Sequence, residues 1–258
     1  MGNAVGEDVA RRLRCYAELF ENADFLKNDP SKFMHEVSGD ANREAAAFIA
    51  QSVSYGSRSQ FLPKVEWILA RAGGDCVGWL LSGAFNDDIP DSGAPFYRLY
   101  TCGTMNRFLS ITREMIEEYG SIGNFVRESA TDTIGALDAI CRWFAERGGA
   151  APVPKDCASA CKRLCMFLRW MVRSGSPVDI GLWADHIDRR TLIMPLDTHV
   201  LSEAAALGLM KCRNATMPAA RRLTSLMLEV FPDDPLKGDF ALFGYGVQRD
   251  ASLQVEAD

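Results

Sequence analysis

Wherever the apolar residues of this chain keep a clear rhythm, the rhythm is helical, and no run of four or more residues alternates as a half-buried strand does. The chain is therefore expected to be all-α. Phe48, Ile49, Ser52 and Val53 form one stripe after a cap at Asp40 or Asn42. Phe61, Val65, Ile68 and Leu69 form another that stops at Gly73-Gly74, and Pro63 belongs near that helix's first turn unless it kinks it. Thr104 and Thr131 are expected to cap two further helices, ended by Gly120 and by Gly148-Gly149. After APVPKD a helix is expected from Cys157 to Arg173, and its wide apolar face (Cys161, Leu164, Cys165, Leu168, Met171, Val172) marks it as the central one. A short helix over 180–187 follows, then one from the Pro195-Leu196-Asp197 turn through Ala206. Thr216 with Pro218 and Asp234 with Pro235 open the last two. From Arg249 the sequence loses its apolar face, and residues 249–258 are expected to fray.

A chain of 258 residues that is 48% hydrophobic buries enough surface to stand without disulfides, and its eight cysteines fall mostly inside apolar stretches, as thiols do in a reducing compartment. With no repeat and no Pro/Gly/Ser linker, residues 1–258 read as one unit, and two interleaved helical lobes sharing a cleft fit it. No run approaches the roughly 18 apolar residues of a membrane span. The start, MGNAVGEDVARRLR, has neither an apolar signal core nor an acid-poor transit character, so a cytoplasmic monomer with no membrane partner is expected. The net charge of −6 argues against nucleic acid as a general partner. Locally the balance reverses: Lys155, Lys162, Arg163, Arg169 and Arg173 stand against Asp156 alone.

Three features carry potential chemistry. Lys162 lies in an otherwise apolar helix, where burial lowers an amine's pKa and leaves more of it as the neutral nucleophile; the plainer reading is a lysine snorkelling at the solvated edge beside Arg163. Asp197, just ahead of a helix in IMPLDTHV, is an ordinary N-cap whose geometry also holds an anion ready to stabilise a developing cation or take a proton. Cys157, Cys161 and Cys165, spaced four apart, would stack on one helix face without a fourth ligand, which favours core packing over a metal site. His199 has no second His or Cys at ligand spacing and is read as structural or DNA-contacting. No Gly-rich phosphate loop is present, and neither a metal nor a cofactor is expected.

PLDTHV, preceded at a distance by a helix with an interior lysine, resembles the helix-hairpin-helix superfamily of base-excision DNA glycosylases, whose bifunctional members carry a catalytic lysine followed by a turn with the catalytic aspartate. The wider set, SVSYGSR, CKRLCMFLRWMVR, DIGLW, PLDTHV, ALGL and DPLKGDFALFGYGV, looks like a bacterial family of that superfamily most similar to the archaeal 8-oxoguanine DNA glycosylase, and covers roughly Ala45 to Val247. The resemblance implies Lys162 and Asp197 as catalytic residues. It implies Gln51, Met166, Asp239 and Phe243 as readers of the damaged base, with Met166 where an aromatic is usual. The hairpin before Lys162, PVPKDCASA, departs from the family's Gly-x-Gly.

The implied partner is duplex DNA with a damaged base flipped into a pocket. Lys162 would attack C1′, expel the base and form a Schiff base that can decay by β-elimination, with Asp197 stabilising positive charge on the sugar. Arg58, Lys155, Arg163 and Arg173 are candidate phosphate contacts, each otherwise a solvated surface charge. Other readings stay open: a non-catalytic DNA-binding module, a monofunctional glycosylase using Asp197 and water, and a metal or redox sensor built on the cysteines.

Overall fold

The computed structural model describes residues 4–212 and 214–255, with side chains described as far as residue 247. Its helices are α1 (Glu7–Phe20), α2 (Lys32–His35), α3 (Asp40–Val53), α4 (Arg58–Ala72), α5 (Cys76–Ser82), α6 (Phe85–Asp88), α7 (Cys102–Tyr119), α8 (Ile122–Ser129), α9 (Thr133–Glu146), α10 (Lys162–Val172), α11 (Thr198–Ala206), α12 (Met217–Val230) and α13 (Lys237–Val255). The all-α expectation holds, with one addition: β1 (Pro95–Tyr97) and β2 (Tyr100–Thr101) pair antiparallel in a hairpin too short to show alternation in sequence. None of the described helices is long and apolar enough to cross a membrane.

Capping chemistry sets most boundaries to within a few residues of the expectation. Gly39 precedes α3 in place of a side-chain cap. Thr101 caps α7 and Thr104 closes the capping box behind it. Asp132 rather than Thr131 caps α9, its carboxylate accepting from Gly135 N–H at 2.7 Å. Gly73 and Gly120 end their helices in the left-handed conformation, as expected of glycine. Pro63 lies well inside α4 rather than in its first turn.

The molecule's centre holds two helices rather than one. From Glu44 to Val53 α3 is buried on every side, and its alanines (Ala45, Ala46, Ala47, Ala50) let α10 approach closely. Phe48 stacks on Phe108 at 5.3 Å and meets Phe167 edge-on at 5.0 Å, tying α3 to α7 and α10. Along the other flank α13 packs against α1, and a Cβ at Gly244 would run into the Phe20 ring.

Two expectations about the central segment are corrected. α10 starts at Lys162, not Cys157: Cys161 takes a left-handed conformation (φ 47°) and 157–160 is loop, so the cysteines do not stack along one helix. Residues 180–187 form turns instead of a helix, because their N–H groups are used elsewhere. Ile180 and Gly181 donate to Trp170 O and Trp183 donates to Met171 O, satisfying carbonyls that the end of α10 leaves open. α13 runs to Val255, through much of the stretch expected to fray; residues 256–258 lie outside the described residues.

Candidate active site

Lys162 is the first residue of α10 and Asp197 is the N-cap of α11. The tertiary fold brings the two helix starts together, with Lys162 Nζ 2.7 Å from Asp197 Oδ2. Both side chains are about one-third exposed, 37% and 33%. The other carboxylate oxygen, Oδ1, accepts from Val200 N–H at 2.8 Å. Burial alone would raise the Asp197 carboxyl, but the Lys162 charge, its hydrogen bond and the Val200 N–H outweigh it and hold the group below the ordinary aspartate value.

The pair sits where two spaces join. An open cleft of about 630 Å³ is bordered by Tyr55, Arg58, Ser159, Arg163 and Leu196. A narrower pocket of about 130 Å³ continues between Phe25, Arg169, His199, Asp239 and Phe243. Asp29, Arg58, Lys162, Met166 and Asp197 line both. One face of α10 therefore carries Lys162, Met166 and Arg169, residues at i, i+4 and i+7, toward the pocket.

Asp239 stands on the opposite wall, on α13, with its carboxylate held by Arg169, which also grips Asp179 at 3.2 Å. Burial pushes the Asp239 carboxyl above its ordinary value, against the opposing charges of Arg169 and Lys162. Phe243, one turn further along α13, is half-buried among Phe25 (5.1 Å) and Phe20 (6.0 Å), and the exposed Arg58 guanidinium lies 5.3 Å over its ring. His199 is exposed at the pocket edge, its Nδ1 3.8 Å from Glu203 Oε1.

Lys162, Asp197, Met166, Asp239, Phe243, Arg58 and His199 thus share one site. Other expected residues do not join it. Gln51 is fully buried in α3, donates to Phe48 O at 3.0 Å and lines neither space. Arg173 lines neither space and is 2% exposed, with its guanidinium held by Asp179, Asp234 and Glu21. Arg163 borders the cleft, but one of its nitrogens donates to Ser52 O and to Tyr100 Oη, which reduces its reach outward. Lys155 is exposed on the loop before α10 and lines neither space. Residue patterns alone passed over Arg169, Asp29 and Tyr55. For Arg169 the signal was present: it is a charged residue inside the apolar run of α10, one turn beyond Met166.

No curated protein and no solved structure gives a significant match to the chain. Residues 29–248 match the family described as Protein of unknown function (DUF2400), and the chain belongs to that family.

Proposed function

We propose that this protein is a DNA glycosylase of the helix-hairpin-helix type that excises an oxidised purine, 8-oxoguanine first among them, through a lysine Schiff base. The observation that carries this reading is the Lys162–Asp197 pair at 2.7 Å, set at the entrance of a pocket walled by Met166, Asp239 and Phe243. A flipped base enters the narrow pocket while the open cleft receives the backbone of the distorted duplex. Arg58 and Arg163 stand at that cleft for phosphates, against Asp29 and Asp197.

In the ion pair Lys162 carries a proton that it must lose before attack, and the Asp197 carboxylate is within hydrogen-bond reach to accept it. The Nζ–C1′ bond then forms as the bond from C1′ to the base breaks, and the base leaves with the electron pair and takes up a proton. A proton moves from the new C1′–Nζ ammonium to O4′ as the C1′–O4′ bond breaks, giving the protonated Schiff base, and loss of a C2′ proton to solvent drives β-elimination of the 3′ phosphate. Asp197 passes the proton taken from Lys162 to the departing base, and the carboxylate so restored, fixed by the Val200 N–H, faces the positive charge that develops on the sugar. Asp239 offers an acceptor to a purine N–H. That contact disfavours a guanine lacking the proton, because the carboxylate oxygen that Arg169 does not hold would lose its donor. Phe243 and Met166 supply an aromatic edge and a polarizable thioether against the base faces.

Borohydride reduction during incubation with 8-oxoguanine duplex tests the reading. Wild-type protein is expected to give a covalent protein–DNA adduct that Lys162→Gln does not. Base release without any adduct would move the reaction to Asp197 and water, and neither release nor adduct on any oxidised-purine duplex would reject a glycosylase.

A further inference from the structure

Cys141, Cys157 and Cys161 reach one point from different parts of the chain. Cys141 projects from the buried face of α9, while Cys157 and Cys161 come from the end of the loop that leads into α10. Their three sulfurs all lie within 4.8 Å of one another. Core packing does not require thiols to converge. Cys76, fully buried on α5, belongs to no such group, and Cys165 turns its thiol to Ala160 O instead.

What gathers the sulfurs is a local departure from helix. Cys161 adopts a left-handed backbone conformation that a β-carbon disfavours, and Ser159 Oγ accepts its N–H at 3.4 Å. Had 157–165 been helical, Cys157, Cys161 and Cys165 would have stacked along one helix face instead. Such strained backbone persists where the surroundings hold it, and it gathers at ligand clamps.

We propose that Cys141, Cys157 and Cys161 form a binding site for a thiophilic divalent cation, with Zn²⁺ as its ligand class. Thiolate sulfur selects Zn²⁺ over hard cations such as Mg²⁺ and Ca²⁺. In a tetrahedral site with Zn–S of about 2.3 Å the sulfurs stand about 3.8 Å apart, so a small inward shift closes this triad on an ion. Three protein ligands leave a fourth position, which water fills. Binding displaces one proton from each thiol to solvent and changes no oxidation state. The ion would clip the loop to α9 immediately before Lys162, fixing the N-terminus of the helix that carries the candidate nucleophile. The site does not depend on the glycosylase reading, because metal binding is measured without DNA.

The test uses reduced full-length protein carrying Cys15→Ser and Cys212→Ser, which removes the two exposed thiols. Zn²⁺ bound after gel filtration is expected to reach one ion per chain, and Co²⁺ in its place to show a sulfur-to-metal charge-transfer band. Both are expected to disappear in Cys157→Ser, a half-buried position where a folded variant is expected, and to persist in Cys102→Ala. Hydrogen exchange across residues 150–161 is expected to slow on Zn²⁺ addition. Zn²⁺ uptake no greater than that of Cys157→Ser, a Co²⁺ spectrum without the charge-transfer band, or unchanged exchange in the loop would overturn the proposal.

Discussion

Lys162 Nζ and Asp197 Oδ2 stand 2.7 Å apart, joining the first residue of α10 to the N-cap of α11. Two helix starts that are distant in sequence share one ion pair, so Asp197 serves a local role and a tertiary one at once. The roles separate by substitution. Asn caps a helix as well as Asp does, and an ion pair one-third exposed contributes only about 0–1 kcal/mol. Asp197→Asn is therefore expected to fold normally. Losing a preorganised charge at a reacting centre typically costs about 10²–10³ in rate, and single-turnover excision should show a loss of that size. A stable Asn variant with undiminished excision would reduce Asp197 to a cap.

The same carboxylate links stability to acid. Its folded-state value lies below the ordinary 3.8, so the unfolded chain binds protons more readily at low pH. The contribution is fully present above pH 3.8 and is lost as pH falls through the depressed folded value. Denaturant melts of wild type and Asp197→Asn should therefore converge on acidification below that point. A gap that stays constant would mean the carboxyl is not held by Lys162. Asp239 has the opposite sign: its folded carboxyl is raised, so its contribution weakens as pH rises from the ordinary value through the folded one.

Arg173 is a structural residue. It lies between Asp179, Asp234 and Glu21 with almost no exposure. Removing one partner of a buried ionic group strands the others, which typically costs about 3–5 kcal/mol. Arg173→Ala should show a loss of that order in urea melts. Its DNA binding, measured below its lowered melting point, should keep the wild-type dependence on salt; a shallower dependence would restore Arg173 as a phosphate contact.

Arg58 is the stronger candidate for that contact, being exposed at the junction of cleft and pocket. Each neutralised phosphate steepens the plot of log affinity against log salt by about 0.9. Arg58→Ala is expected to reduce the slope by about that amount with little change in melting temperature. An unchanged slope would take Arg58 out of the DNA interface.

For Phe243 the structure yields a mixed expectation. It meets Phe20 and Phe25 edge-on but keeps part of its ring in the pocket. Phe243→Ala should cost less than the roughly 3–5 kcal/mol of a fully buried phenylalanine. It should also weaken binding to 8-oxoguanine duplex more than to undamaged duplex. A full core-sized loss with unaltered lesion preference would assign the ring to the core alone.

Much of the fold was legible because helices are built from short-range information. An apolar period, a capping oxygen and a left-handed glycine all act within a few residues, and they mark most helices of this chain without any tertiary contact. The Asp197 cap and the face shared by Lys162 and Met166 belong to that local level; their pairing as a candidate site came from motif resemblance. Contacts between distant segments decided the rest. Periodicity presents Arg173 and Arg58 alike as basic residues, yet the turn before α13, the turn after α10 and the end of α1 bury the first among carboxylates while the second stays open to solvent. Gln51 lies in a helix that the sequence marks as apolar, but only packing on every side closed it off from the cleft. Arg169 looked like one more charge in a basic stretch until α13 brought Asp239 against it. The cysteines show the limit most clearly: helical spacing predicts a stacked row, and a single left-handed residue at 161, held by its surroundings, turns two of them toward α9 instead. Long-range contacts select one backbone conformation among several that local sequence allows, and at Cys161 they select one that local preference disfavours.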